Sequence, residues 1–380
     1  MNKNSPVSFV NLTQQHADLK EEILAAIGNV LDHGHFVGGP EVRAFEEWWA
    51  SACSVSHAIG VGSGTDALQL ALMATGIGPG DEVVTSPNSF VASANAIRLV
   101  GATVRFADIG EDFNIDPHAV SAAVTARTRA VIPVHIAGRP AKVNEIIEQV
   151  PNDCVVIEDA AQAFGAKRNG RHVGGTGAIG CFSLHPLKIL GACGDAGMVT
   201  CQDGTLATRV RRLGNHGIKR RQEDCDNAGM NSRLDSLQAA ILQVKCRHVS
   251  QWIDTRRQFA AIYHERLAQF LTMPEESPGD FVTYATFPVL APKRNAVMRH
   301  LKRKSIAAKI HYALPIHRLP AYRDQFREGQ FPKAEQQARN GLSLPIHEGL
   351  AIDDIHQVCD AIVAFYCGSQ KRQTATLAPA

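Results

Sequence analysis

The sequence predicts an α/β fold, with a largely parallel sheet covered by helices and a smaller α/β domain after it. Three observations carry this. Strand-like and helix-like runs alternate from Ala58 to Gly214, the pattern of a sheet covered on both faces. The chain has 380 residues, beyond the roughly 250–300 at which single cores stop growing. After Asn231 the alternation gives way to a long stretch with almost no helix breakers, and then to shorter mixed elements.

Taken in order, Asp18–Leu31 carries apolar side chains at Leu19, Ile23, Ile27, Val30 and Leu31, a helical spacing. Pro40 opens a second helix, Glu41–Ala52, as a first-turn proline. Ala58–Val61, Glu82–Thr85, Val104–Phe106, Ala130–Val134, Val155–Ile157 and Cys181–Leu184 read as strands. Thr65–Ala74, Phe90–Val100, Ala141–Val150 and Leu206–Gly214 read as the helices between them. Asn169-Gly170 is a hairpin turn signal. Ser232 to Phe270 predicts one long helix or two consecutive ones bridging out of the first domain. Beyond Glu275, strands are expected at Val282–Val289 and Ile310–Tyr312, and helices at Arg294–Lys302 and Ile352–Phe365. Gly368–Ala380 reads as a frayed tail. The expected division is therefore 1–245 and 246–380.

Composition narrows the function. With 39 Lys+Arg against 37 Asp+Glu, a net charge of +2 offers no broad field for nucleic acid or an acidic membrane. The clusters Lys219-Arg220-Arg221 and Lys302-Arg303-Lys304 read as solvated faces. No apolar run reaches the roughly 18–20 residues of a membrane span, and the polar N-terminus carries no signal core. Nine cysteines without a Cys-x-x-Cys pair suit reduced thiols in the cytoplasm better than disulfides or a metal finger.

Three motifs can carry chemistry. Gly62-Ser63-Gly64-Thr65-Asp66-Ala67 is a glycine turn entering a helix, whose N-terminal N–H groups suit a phosphate. It also fits the dinucleotide fingerprint, but the ribose-binding acid is missing after the next strand, where Ser86-Pro87-Asn88 stand. A ligand-free tight turn is the plain alternative. The second motif, Val155–Gln162, ends a β-branched strand in Glu158-Asp159, at the sheet edge where ligands collect. Adjacent strand residues point to opposite sides, so only one of the two acids can serve a given site. In the third, Lys188 stands among Leu187, Ile189 and Leu190, ahead of Gly194-Asp195-Ala196-Gly197. Apolar neighbours disfavour the ammonium and make the amine a usable nucleophile. A phosphate turn, a strand-end acid and such a lysine are what pyridoxal phosphate needs: a Schiff-base amine, a partner for the ring nitrogen, and a phosphate seat.

Gly64-Thr65-Asp66-Ala67-Leu68, Glu158-Asp159-Ala160-Ala161-Gln162, Ser183-x-His185-Pro186-x-Lys188 and the run from Gly229 through Asn231-Ser232-Arg233 to Ala240 resemble the DegT/DnrJ/EryC1/StrS aminotransferases. Gly38–Val42, His311-Tyr312 and Ser343-Leu344-Pro345 are similar too, so the resemblance spans about Asn11 to Tyr366. It implies fold-type I of pyridoxal-phosphate enzymes, the aspartate aminotransferase fold, working as a homodimer with active sites at the subunit interface. Position by position, it implies that Lys188 forms the Schiff base and shuttles the proton, Asp159 pairs with the pyridinium and Gln162 bonds the ring hydroxyl. Gly64, Thr65 and Ser183 would hold the phosphate, joined by Asn231 of the other subunit, and Phe90 would stack on the ring. Arg233, His311 and Tyr312 match positions facing the sugar or its diphosphate, and His185 an orienting position. The implied reaction moves an amino group from L-glutamate to a nucleotide-linked keto sugar, a C3-keto UDP- or dTDP-hexose ahead of a C4-keto one. Two departures, Leu184 for an aromatic and Ala196 for a glycine, remove no reacting group. A dehydratase branch of the family carries histidine at the lysine position, and Lys188 speaks against it.

Overall fold

The computed structural model describes residues 6–225 and 227–375. Its strands are β1 (His57–Val61), β2 (Glu82–Thr85), β3 (Thr103–Phe106), β4 (Thr128–Ile132), β5 (Val155–Asp159), β6 (Lys167–Arg168), β7 (Arg171–His172), β8 (Ile179–Ser183), β9 (Gly197–Cys201), β10 (Asp280–Phe281), β11 (Phe287–Leu290) and β12 (Gly341–Leu344). Seven of them form the central sheet in the order β1-β9-β8-β5-β4-β2-β3. Every pairing from β8 to β3 is parallel, while β9 runs antiparallel to both β1 and β8.

The six expected sheet strands are present, with ends shifted by a residue or two. The seventh, β9, begins at the last glycine of Gly194-Asp195-Ala196-Gly197, where the sequence predicts no strand. Its run Gly-Met-Val-Thr-Cys is short and gains its strand character from pairing on both sides. This strand matters to the site. It folds back along β8, pairing Ser183 with Gly197, and so closes Leu184–Ala196 into a loop that carries Lys188. Leu184 N–H donates to Ala196 O (2.8 Å) and Ala192 N–H to Leu184 O (2.7 Å), pinning both ends.

Asn169-Gly170 does make a hairpin, β6–β7, with both residues at positive φ, but it pairs with β10 in a separate three-stranded sheet. Of the expected strand Val282–Val289 only the end is one, in β11; 282–286 are not strand, their chain tied to the loop after β4 by Thr283 and Ala285 N–H groups, and β10 precedes them. Ile310–Tyr312 is a turn, and the strand contact there is the single bridge between Lys309 and Ser343. In place of a tail from Gly368, one helix runs Ile352–Ala375; the rest of the expected tail, 376–380, lies outside the described residues.

Apolar clusters on the two faces of the sheet hold its helices. On one side, Phe45 and Trp49 of helix Pro40–Cys53 are fully buried, with the Trp49 ring centre 5.2 Å from that of Phe182 in β8. A second core is built from residues 259–362 around the β11–β12 pair, with Val7 reaching into it from the N-terminal segment. Helix Val249–Leu267 joins the two, placing Val249 and Ile253 in the first core and Phe259, Tyr263 and Leu267 in the second. We propose the division 1–245 and 246–380, with Val7 as the first part's contribution to the second core. Among the described residues no helix is long and apolar enough to cross a membrane.

One buried acid ties the strand edge together. Glu158 accepts from the N–H groups of Gly174 (2.8 Å), Thr176 (2.8 Å) and Gly177 (2.7 Å), and meets His135 Nε2 at 3.0 Å. Burial works to raise its carboxyl, but the His135 ring and the loop N–H groups outweigh burial and hold it below the ordinary range. Glu158→Ala strands these donors, so denaturant unfolding is expected to show a loss of about 3–5 kcal/mol, against under about 0.5 kcal/mol for the exposed Glu148→Ala. Because its folded pKa is depressed, the Glu158 contribution stands above the ordinary glutamate value and is lost as pH falls through the folded value.

Candidate active site

A cleft of roughly 470 Å³ opens at the C-terminal edge of β5 and β8, between the sheet and the second core. Of the residues singled out from the sequence, Gly64, Thr65, Phe90, Asp159, Gln162, Ser183, His185, Lys188, His311 and Tyr312 all line it. Asn231 and Arg233 do not. They lie together outside it, with Arg233 Nη2 donating to Asn231 Oδ1 (2.8 Å), and Arg233 lines a separate, wider hollow with Arg211 and Arg220.

Strand alternation explains which acid enters the cleft. Glu158 turns to the Gly174–Gly177 loop, and Asp159 turns the other way. Asp159 is 4% exposed and accepts from Ser93 Oγ (2.7 Å) and the Ala161 N–H (3.2 Å). Burial raises its carboxyl, only partly offset by Ser93, Ala161 and the Lys188 amine. Lys188 shifts the opposite way: burial lowers its amine, with the Asp159 charge working against the shift. Both shifts have one cause. Burial disfavours each charged form, which leaves the amine nearer a neutral nucleophile and the carboxylate short of a compensating cation.

The phosphate turn is built by close approach. Ser63 caps helix Gly64–Ala74, its Oγ accepting from Asp66 N–H (3.1 Å), and the first N–H groups of the helix have no partner within it. A Cβ on Gly64 would stand 2.6 Å from Ser183 Cβ, and one on Gly197 would stand 2.4 Å from Ser63 O. Only glycines let the turn, the end of β8 and the start of β9 meet this closely. Ser183 Oγ accepts from His185 N–H (3.3 Å), which leaves its own proton for an oxygen in the cleft. His185 is exposed, and its Nδ1 lies 3.2 Å from the Leu187 N–H, so it shapes the turn before Lys188.

Aromatic and amide groups complete the walls. Phe90 is 58% exposed, its ring centre 6.4 Å from that of Tyr312. Gln162 Oε1 is fixed by the Ala137 N–H (2.9 Å), while Nε2 makes only a long contact to Tyr312 Oη (3.4 Å). Burial, then the Asp159 charge, pushes the Tyr312 hydroxyl up to about 12, so it stays protonated. His311 is pushed down to about 4 by burial and by the Lys309 and Lys188 charges, so its ring is neutral at ordinary pH.

Several cleft residues gave no signal in the sequence. Ser93 is one hydroxyl in an alanine-rich helix. Arg256 sits in the bridging helix, its guanidinium donating to Tyr284 O, Ala285 O and Ile346 O and pairing with Glu348 (2.8 Å). Glu348 in turn accepts from Gln15 of the N-terminal segment (2.5 Å). Nothing short of the fold brings these three together.

The residues fit pyridoxal phosphate: an underpaired buried carboxylate for the pyridine nitrogen, a depressed amine for the aldehyde, and a glycine-lined helix N-terminus for the phosphate. Comparison with known proteins agrees with this site. Residues 17–363 match the DegT/DnrJ/EryC1/StrS aminotransferase family. A pleiotropic regulatory protein of Geobacillus stearothermophilus is 40% identical, over 95% of this chain and 98% of its own. The UDP-N-acetyl-3-dehydro-alpha-D-glucosamine 3-aminotransferase of Acidithiobacillus ferrooxidans is also 40% identical, again over 95% and 98%. The crystal structure of S. venezuelae DesV superposes with a TM-score of 0.92 at 39% identity, covering 95% of this chain and 98% of that one. The chain, with Lys188 and Asp159 lining one cleft, belongs to the DegT/DnrJ/EryC1/StrS aminotransferase family and is an aminotransferase.

Proposed function

We propose that the protein transfers an amino group from L-glutamate to the C3 ketone of a UDP- or dTDP-linked hexose, for amino-sugar biosynthesis. The observation that carries this is the cleft in which Lys188, Asp159 and the Gly64–Thr65 helix N-terminus converge. The name of the Acidithiobacillus relative supports the C3 ketone and the nucleotide sugar.

When bound, pyridoxal phosphate supplies an electron-poor ring that stabilises negative charge on the substrate carbon and carries the amino group between the two substrates. The protein's residues do the rest. Asp159, oriented by Ser93 and Ala161, holds a proton on the pyridine nitrogen. Gln162, fixed by Ala137, offers its Nε2 donors to the ring hydroxyl. The Gly64 and Thr65 N–H groups with the Ser183 hydroxyl would hold the phosphate, and Phe90 would pack against the ring. Lys188 Nζ takes a proton from the donor's α-carbon and, in the second half of the cycle, delivers one to the former ketone carbon. The depressed amine suits that exchange. Asn231 and Arg233 stand outside their own chain's cleft, which supports a homodimer in which they serve the neighbouring subunit's cofactor phosphate and sugar diphosphate.

Purified protein mixed with pyridoxal phosphate is expected to develop the visible band of lysine-bound cofactor, and L-glutamate to convert it to pyridoxamine phosphate with release of 2-oxoglutarate. Lys188→Ala abolishes the first band. A band that glutamate leaves unchanged would show that the donor is wrong.

Asp159→Asn is expected to cut turnover at least about 100-fold, since it removes the charge that keeps the ring nitrogen protonated. It also removes an attraction that favours the Lys188 ammonium. Competitive amine labelling of the cofactor-free protein should therefore place Lys188 below the ordinary lysine value in wild type, and lower still in the variant. An unmoved Lys188 midpoint would mean that the two groups do not sense each other.

A further inference from the structure

One charge at the cleft has no assigned task. The Lys309 side chain lines the cleft beside His311, and among the described residues no carboxylate stands within ion-pair distance of its ammonium. The other cations there are engaged: Lys188 interacts with Asp159, and Arg256 pairs with Glu348. Asp195, also at the cleft and without an ion pair, sits on the Leu184–Ala196 loop and makes no ion pair with Lys309.

The Lys309 side chain is exposed, and its ammonium rests against an aromatic ring. It lies 5.0 Å from the centre of the Phe9 ring, a cation–π distance. Lys309 is anchored through its backbone, and Phe9 through the nearby Val7. Lys309 N–H donates to Ser343 O (3.1 Å) and Ser343 N–H to Lys309 O (2.8 Å). Phe9 stands two residues after Val7, whose N–H donates to Ser305 O (2.9 Å) and whose carbonyl accepts from Ala307 N–H (2.9 Å). An aromatic face attracts the charge but uses none of the directional capacity of its three donors, so Lys309 keeps N–H groups to offer. His311 adjoins it, with its ring centre 5.8 Å from that of Phe9 and Nδ1 2.9 Å from Ser343 Oγ. In the tautomer in which the Ser343 hydroxyl donates to Nδ1, the neutral ring carries its proton on Nε2 and offers a second donor.

We propose that Lys309, with His311 beside it, binds a carboxylate carried by the substrate and so selects for it. The inference rests on the aminotransferase reading above. A carboxylate reaches the cleft either on the amino donor or on a uronic-acid sugar. Their shared chemistry is a planar anion accepting two hydrogen bonds.

Titration calorimetry of the cofactor-loaded wild type and Lys309→Gln, with 2-oxoglutarate, UDP-glucuronate and UDP-glucose, separates the cases. The variant is expected to bind one carboxylate-bearing probe at least about tenfold more weakly and UDP-glucose within about twofold of wild type, with Lys309→Arg restoring most of the loss. Loss with 2-oxoglutarate assigns Lys309 to the donor; loss with UDP-glucuronate assigns it to a uronate sugar. In turnover the affected substrate shows a raised KM with kcat within about threefold. Equal weakening of UDP-glucose, or no change in either carboxylate probe, overturns the proposal. A wild type that binds these probes in a Lys309-dependent way, yet never forms pyridoxamine phosphate from glutamate, sinks the transaminase reading and leaves the carboxylate site standing.

Discussion

Asp159 and Lys188 are each made less stable in their charged forms by burial, and the fold must hold both in one cleft. That constraint organises the large sheet. Asp159 is the last residue of β5, and Lys188 rides on the loop that leaves β8, the strand paired beside it. A loop of that length would wander unless its ends were fixed, and the antiparallel β9 fixes them by bringing the chain straight back along β8. The glycine turn then has to approach both strands, which is why Gly64 and Gly197 tolerate no side chain. Strand order, loop closure and glycine placement answer the same requirement.

The second core gives the cleft its other wall. His311, Tyr312 and Lys309 come from it, and Arg256 on the bridging helix fastens the wall in place through three carbonyls and Glu348. Gln15 extends that network to the N-terminal segment, whose Val7 is also stitched into the second core. The N–H groups of Thr283 and Ala285, in turn, donate to Gly138 O and Ala137 O (3.0 Å each), tying this wall to the loop that follows β4. The substrate-facing wall is set by packing and hydrogen bonds rather than by a free loop.

Much of this was legible from residues alone, for physical reasons. The parallel strands were visible because β-branched runs that are buried on both faces need no partner to declare themselves. Asp159, Lys188 and Gly64 were visible because each carries chemistry in a distinctive local setting. β9 was not, since a strand of Gly-Met-Val-Thr-Cys owes its conformation to two neighbours that are remote in sequence. Ile310–Tyr312 misled in the opposite direction: its residues suit a strand, yet pairing stops at Lys309 and the chain turns into the cleft. Ser93, Arg256 and Lys309 were invisible because serine, arginine and lysine are ordinary on helices and at surfaces. Only the tertiary fold shows what they meet.

Glu158 and Asp159 show how structure separates a functional acid from a structural one when sequence cannot. They are adjacent, both buried, and both end the same strand. Glu158 meets three backbone N–H groups and a histidine, so its charge is compensated within the protein and its pKa falls. Asp159 accepts from one hydroxyl and one N–H, and its pKa rises. The unmet capacity of Asp159 opens onto the cleft, where a pyridinium would complete it. An acid that its neighbours satisfy holds the fold together. One that they leave short marks where a ligand is required.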